Sequence, residues 1–248
     1  MRVNIYDNLH FEDKNKITEN YLSMIEWDTP RTKKTLKGLM EKRFKKLLSK
    51  NAVEVIKWED IFDETKEMTG HQTKYQHLID RTYLRPRDII KFCNLVLSQY
   101  KNRMKSEKGK VPNTKFDNID IYQAKSEYSD YFLRELDDEI HKHISQYKDY
   151  LEIFKAIGVL QFGKDDYLAE FENKKISFPS ISNPINILKE LFNFSVIGFY
   201  KAGGKGYGGS EYVFKYENPG AQFDESAQNF KLHPGLMDVL GLKKYSRT

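Results

Sequence analysis

The sequence predicts a mainly α-helical protein, in which a bundle of helices is followed by a winged helix-turn-helix domain with a small β-hairpin wing. Two observations support this prediction. Most segments between residues 31 and 157 are predicted helices, several of them with apolar residues at three- to four-residue spacing. The last third then runs in the order helix, strand, glycine-rich loop, strand, which is the layout of a winged helix.

The predicted elements follow one another with few long gaps. Helices are predicted over about residues 31–50, 58–62, 74–82, 86–104, 119–145, 150–157 and 185–194. Strands are predicted over residues 1–6, 196–201 and 211–217, and a short apolar element over 233–242. Pro86 favours a helix start because proline is tolerated in a first turn, and Asn183 is a plausible N-cap.

The charges are distributed unevenly along the chain. Residues 1–110 carry 24 basic and 16 acidic residues, whereas residues 111–248 carry 17 and 20. The polar segment 105–117 contains Gly109 and Pro112 and is the best linker candidate, so we expect domains over residues 1–110 and 111–248. Residues 31–50 hold nine basic residues and one acid, which fits either a solvated amphipathic helix or a helix that touches phosphates.

Composition excludes several classes of protein. The 248 residues include 39% hydrophobic and 14% aromatic residues, which argues for a folded chain and against disorder. No apolar run approaches 18 residues, so we expect no membrane partner, and the N-terminus lacks the apolar core of a signal peptide. Cys93 cannot form a disulfide within the chain and fits a reducing compartment, so we expect a cytoplasmic protein.

One segment superficially resembles a phosphate-binding loop. Gly158 to Lys164 matches the pattern G-x-x-x-x-G-K, but Asp165 follows where the loop needs the serine or threonine that ligates magnesium. A predicted helix, and not a strand, precedes the segment. We therefore expect an ordinary loop between two helices here.

No motif predicts a catalytic centre or a metal site. His141 and His143 are two residues apart and would point to different sides of a helix, and His71 and His77 have no third ligand at a suitable spacing. No arrangement of nucleophile, base and anion stabiliser stands out. The sequence therefore predicts neither catalytic residues nor metal ligands.

The most informative stretch is the one around Pro86. Arg85 and Arg87 flank this proline at the predicted start of a helix. Guanidinium groups beside a helix N-terminus can form an anion site. The alternative is that both arginines pair with nearby acids such as Asp80 and Asp88, and spacing alone does not distinguish the two.

The segment Arg85-Pro-Arg-Asp-Ile-Ile resembles the start of the lid helix in AAA+ and STAND P-loop ATPases. The resemblance implies that Arg87, or its neighbour Arg85, contacts the phosphates of a nucleotide. Residues 1–7 resemble the strand that ends in a second nucleotide-sensing residue, which implies a similar role for Arg2. Residues Tyr122–Glu139, together with Val196–Phe199, Phe214–Tyr216 and Phe230–Pro234, resemble the C-terminal region of bacterial ATPases of this kind in mobile-element and anti-phage defence settings.

The chain departs from that family at the phosphate-binding elements. The Walker A lysine and Walker B acid would precede the strand that begins at Met1, and no later segment replaces them. We therefore expect no ATP hydrolysis and no cofactor for the chain alone, with ATP or ADP bound only together with a separate core. The expected function is a regulatory module that senses this nucleotide and contacts an ATPase core, an effector protein or DNA.

Two other functions stay open. A free-standing winged-helix protein would contact duplex DNA through its wing, with Lys201, Lys205 and Tyr207 as the contact residues. The acidic balance of residues 111–248 weighs against this alternative. A protein-interaction adaptor that binds neither nucleotide nor DNA is the third possibility.

Overall fold

The computed structural model describes residues 12–16, 35–48, 55–106, 113–177, 183–203 and 209–244. The described elements are α1 (Thr35–Leu48), α2 (Trp58–Ile61), α3 (Lys74–Ile79), α4 (Pro86–Ser106), α5 (Asn118–Ile140), α6 (Tyr147–Ile157), β1 (Gln161–Gly163), α7 (Lys164–Lys175), α8 (Pro184–Asn193), β2 (Ile197–Lys201), β3 (Glu211–Val213), β4 (Asn229–Leu232) and the 3-10 turn η1 (Pro234–Leu236). The chain is mainly helical with a small antiparallel sheet, which confirms the broad fold class.

The two longest helices, α4 and α5, pack against each other. Helix α4 buries an apolar stripe that includes Phe92, and this ring stacks on Tyr128 of α5 at 4.0 Å between centroids. Helix α5 begins where the carboxylate of Asp117 accepts hydrogen bonds from the first backbone N–H groups, as an N-cap does. This helix pair forms the framework for the residues around Pro86.

A buried ion pair ties the far end of α4 to the start of α5. Arg103 donates from Nε and Nη2 to the two carboxylate oxygens of Asp120, both at 2.8 Å, and a further bond reaches the carbonyl of Lys115 at 3.1 Å. The predicted boundary at residue 110 falls between these helices, outside the described residues. Buried residues from both sides of this boundary belong to one hydrophobic cluster. The division into two domains stays a prediction.

Helix α1 confirms only part of the predicted basic helix. Leu36, Met40 and Phe44 are buried as their spacing predicts, and Lys37 pairs with Glu59 of α2. Leu47 and Leu48 continue this spacing at the end of α1, but both are exposed.

The sheet has the strand order β1–β4–β2–β3, and every neighbouring pair is antiparallel. Its inner face carries Phe162, Phe199 and Phe230, and the ring of Phe192 on α8 lies 5.4 Å from Phe199. Strand β3 is shorter than predicted, and β1, β4 and α7 were not predicted at all. The predicted loop at 158–164 is therefore corrected, because Gly158 ends α6 with φ +73° and Gln161–Gly163 is a strand.

None of the helices that the structure describes is long and apolar enough to cross a membrane. Within the same residues, no group of three or more histidine, cysteine or acidic side chains is placed to hold a metal ion.

Candidate functional site

The candidate site lies at the N-terminus of α4, where the chain turns sharply into the helix. Leu84 adopts a left-handed backbone conformation with φ +52°, which costs free energy in a residue other than glycine. The fully buried carboxylate of Asp88, in the first turn, accepts a hydrogen bond from the backbone N–H of Tyr83 at 3.2 Å. This local fold places Arg85 just before α4 and Arg87 within its first turn.

Arg85 is fixed by its surroundings. Its Nε donates to Asp88 at 2.7 Å, its Nη1 lies 3.4 Å from Glu139 on α5, and its guanidinium lies 4.9 Å from the centroid of the Tyr83 ring. The side chain is only 17% exposed. Arg85 therefore orients α4 against α5, and a ligand from outside could reach it only after displacing these contacts.

Arg87 is more accessible, with 54% of its side chain exposed. Its Nη2 pairs with Glu135 and lies 3.7 Å from Glu139, and its Nε lies 3.7 Å from Asp88. Both arginines thus pair with Asp88, as the acid-pairing alternative requires. The carboxylate of Asp80, the other acid that this alternative named, accepts hydrogen bonds from Gln72 and Gln76.

The cluster of Arg85, Arg87, Asp88, Glu135 and Glu139 carries two guanidinium groups and three carboxylates. An anion that approaches Arg87 therefore competes with these carboxylates for the guanidinium. Burial, together with the charge of Asp88, raises the pKa of the neighbouring Tyr131 to about 12, so this phenol stays protonated.

The predicted wing lies between β2 and β3. Lys201 is exposed at the end of β2 and pairs in register with Glu211, which places an acid beside it. Lys205 and Tyr207, like Arg2 near the N-terminus, lie outside the described residues.

Sequence reasoning missed other residues of the sheet, which lie on the face opposite to Lys201. Tyr200 and Tyr212 face each other across β2 and β3, with 5.4 Å between ring centroids. The ammonium of Lys231 on β4 lies 5.5 Å from the centroid of the Tyr212 ring. The alternation of side chains along a strand could have identified the two tyrosines, but the position of Lys231 depends on a strand that the sequence did not predict.

One family model matches part of the chain. The model is described as a FunZ-associated C-terminal helical domain, and it matches residues 34–137. The match runs from the start of α1 almost to the end of α5 and so includes Arg85, Arg87 and Glu135, whereas the sheet lies outside it. No curated protein and no solved structure matches the chain.

Proposed function

We propose that the chain is a non-hydrolytic regulatory and interaction module that works beside a separate P-loop ATPase core, and that Arg87 responds to the nucleotide of that core. The observation that supports this role is the position of Arg87, half exposed at the first turn of a 21-residue helix. The similarity of residues 34–137 to a domain described as C-terminal and FunZ-associated favours a segment that acts beside another domain.

The described residues fit one contact to a nucleotide, and not a whole phosphate pocket. They supply a single accessible guanidinium at the positive end of the α4 dipole, whereas a complete pocket needs a loop of backbone N–H groups, a lysine and a magnesium ligand. When ATP or ADP is held by a separate core, Arg87 would bind its phosphate and stabilise its negative charge.

Glu135 competes with a phosphate for the guanidinium of Arg87. A phosphate oxygen would compete with the Glu135 carboxylate for the Nη2 group of Arg87, while Arg85 continues to neutralise Glu139. Arg87 can therefore exchange partners without leaving Glu139 unpaired. The exchange would link the presence of nucleotide to the contact between α4 and α5, and this link would signal to a partner protein.

The test needs the chain together with its core, either as a neighbouring gene product or as a preceding domain. We would measure the affinity of a fluorescent ATP analogue for this complex. Arg87→Gln should weaken it by about tenfold or more, because a hydrogen bond to a charged group contributes about 1.5–3 kcal/mol. Arg134→Gln, at an exposed position on α5, is the matched control and should leave the affinity unchanged.

Glu135→Gln tests the competition directly. This substitution removes a negative charge from Arg87 and should strengthen nucleotide binding by the complex. Equal affinities for the wild-type, Arg87→Gln and Glu135→Gln complexes would refute the sensing role. Retained binding to the core without any nucleotide effect would instead indicate a simple adaptor.

DNA binding is a second candidate function, favoured by the sheet surface. The element order α6, β1, α7, α8, β2, β3 follows that of a winged helix. Beside the hairpin, the strands carry two aromatic rings and two cations, those of Tyr200, Tyr212, Lys201 and Lys231. The anti-phage setting suggested by the resemblance to bacterial defence ATPases would accommodate either function.

Binding to a labelled DNA duplex, measured over a series of salt concentrations, tests this second candidate. Lys201→Ala should weaken binding and reduce the slope of log affinity against log salt by about 1, as expected for one lost phosphate contact. Lys142→Ala, at an exposed position after α5, is the control. Undetectable binding at low salt would exclude the candidate.

A further inference from the structure

One face of the sheet carries two tyrosines and a lysine. Tyr200 on β2 and Tyr212 on β3 are register partners, and their side chains share the face opposite to Lys201. Gly198 lies two residues before Tyr200 and pairs with Lys231 of β4, so Lys231 belongs to the same face. We call Tyr200, Tyr212 and Lys231 the tyrosine face.

Buried rings cover the sheet on one side of the tyrosine face and leave the tyrosines accessible. A Cβ at Gly198 would lie 2.9 Å from the ring of Phe214, so this buried ring lies against the strand there. Phe214 in turn contacts the buried ring of His233. Two residues further along β2, Tyr200 is 37% exposed, and its partner Tyr212 is half-buried. A ligand from outside can therefore reach the two tyrosines.

The three side chains of the tyrosine face adjoin one another. The rings of Tyr200 and Tyr212 lie 5.4 Å apart between centroids, with 62° between their planes. Rings at this angle are not stacked on each other, so ring surface remains for a flat ligand. The ammonium of Lys231 lies 5.5 Å from the centroid of the Tyr212 ring. An aromatic surface and a positive charge therefore meet at Tyr212.

The charges on this face favour an anionic ligand. The described strand residues whose side chains share the face include no acid; they are Gln161, Gly163, Gly198, Tyr200, Tyr212, Asn229 and Lys231. Glu211, next to Tyr212, belongs to the opposite face, where it pairs in register with Lys201. The carboxylate of Asp166 lies beside β1, the strand farthest from β3, and accepts a hydrogen bond from the Gly163 N–H at 3.3 Å. Close to the tyrosines, Lys231 therefore attracts negative charge.

We propose that the tyrosine face binds unpaired nucleotides of a single-stranded nucleic acid. A base would stack on the exposed ring of Tyr200, and the ammonium of Lys231 would pair with a neighbouring phosphate. Sheets that present aromatic side chains hold single-stranded RNA by such stacking. A duplex does not suit this face, because its bases stack on one another and reach a protein ring only when flipped out.

This inference refines the DNA-binding candidate and rests on contact between this sheet and nucleic acid. Lys201, on the opposite face, remains the proposed contact to a duplex. The two contacts can therefore be tested separately, each with its own ligand and its own substitution.

The first experiment measures the fluorescence anisotropy of a labelled strand of about 12 thymidine nucleotides, titrated with the full chain at low salt. We expect saturable binding. Tyr200→Ala should weaken it by about fivefold to a hundredfold, as expected for one lost base–aromatic stack, whereas Tyr200→Phe keeps the ring and should bind like the wild type. Lys231→Gln should weaken binding and reduce the slope of log affinity against log salt by about 0.7, the value for one phosphate of a single strand. Lys142→Ala, at an exposed position after α5, is the control and should change neither quantity.

A strand of the same length without bases tests the stacking in the wild-type chain, so the result does not depend on the folding of any variant. It offers the same phosphates but nothing to stack, and it should bind at least about fivefold more weakly. Equal affinities for the two strands, or undetectable binding of the thymidine strand at low salt, would overturn the proposal. A uridine strand of the same length identifies DNA or RNA as the ligand by the tighter of the two affinities.

A labelled duplex, measured in parallel, separates this proposal from the duplex candidate. Duplex binding that Lys201→Ala weakens, without binding of the thymidine strand, would refute the stacking proposal alone. Binding of the thymidine strand that Tyr200→Ala weakens and Lys201→Ala does not, without duplex binding, would support the stacking proposal and refute the duplex candidate alone.

Discussion

The buried imidazole of His77 should make the folded state sensitive to mild acid. Its pKa is lowered from 6.5 to about 2 in the folded protein, because burial and neighbouring cations oppose its protonation. In the unfolded chain the ring takes up a proton below pH 6.5. The unfolded state therefore binds more protons, and stability must fall as the pH is lowered from 6.5 towards 2.

The expected size of this effect follows from the two pKa values. One pH unit corresponds to about 1.4 kcal/mol per proton once the unfolded ring is fully protonated, so lowering the pH from 7.5 to 5 should cost about 2 kcal/mol of unfolding free energy through His77. Over this range the carboxylates with lowered pKa values, such as Asp137 and Asp224, remain charged in the folded protein. The change in unfolding free energy over this pH range therefore comes mainly from histidine.

Urea unfolding at a series of pH values between 5 and 7.5 measures the loss, and His77→Gln provides the comparison. Glutamine does not titrate, so the variant should lose about 2 kcal/mol less than the wild type over the same range. The quantity to compare is the slope of unfolding free energy against pH in the two proteins, because the substitution also changes stability at neutral pH. Identical slopes, or a His77 signal that titrates near pH 6.5 in the folded protein, would refute the reasoning.

Three further substitutions test the packing, each by urea unfolding at pH 7.5. Arg103→Met should cost about 3–5 kcal/mol of unfolding free energy, because it leaves the carboxylate of Asp120 buried and unpaired. Adding Asp120→Leu should recover part of that loss. No recovery would contradict the buried ion pair as the cause. Gly235→Ala should destabilise, since a Cβ there would lie 2.8 Å from the carbonyl oxygen of Arg81, and an unchanged midpoint would show that the backbone yields easily. Asn183→Ala should cost about 1 kcal/mol through loss of the α8 N-cap, and Lys189→Ala on the exposed face should cost little.

The long helices could be predicted because their signal is local. Pro86 marks the start of α4, and the spacing of its apolar residues gives the buried face without knowledge of the partner. The same spacing fails at Leu47 and Leu48, since periodicity shows which side of a helix they share but not where the packing surface ends.

The elements that were missed depend on distant partners or offer little pattern. Strands β1 and β4 have three and four residues, too few for an alternating pattern, and each is stabilised by a strand far away in the sequence. Helix α7 buries only Tyr167 and Phe171, so it shows no apolar stripe. In each case tertiary contacts decide the structure.

The candidate site was predicted only in part, because some of its residues meet through tertiary contacts. The sequence places Arg85 and Arg87 at a helix start and Asp88 beside them, but Glu135 and Glu139 lie about 50 residues away and meet the arginines only through the packing of α4 on α5. The burial of His77 has no sequence signature, because it depends on contacts with distant residues such as Tyr122.

The most direct test of the proposed function is the affinity of the complex of this chain with its P-loop core for a fluorescent ATP analogue, compared between the wild type and Arg87→Gln. We expect the substitution to weaken binding by about tenfold or more while the complex itself remains intact. Equal affinity in the two complexes, with Arg134→Gln also unchanged, would show that Arg87 does not contact the nucleotide.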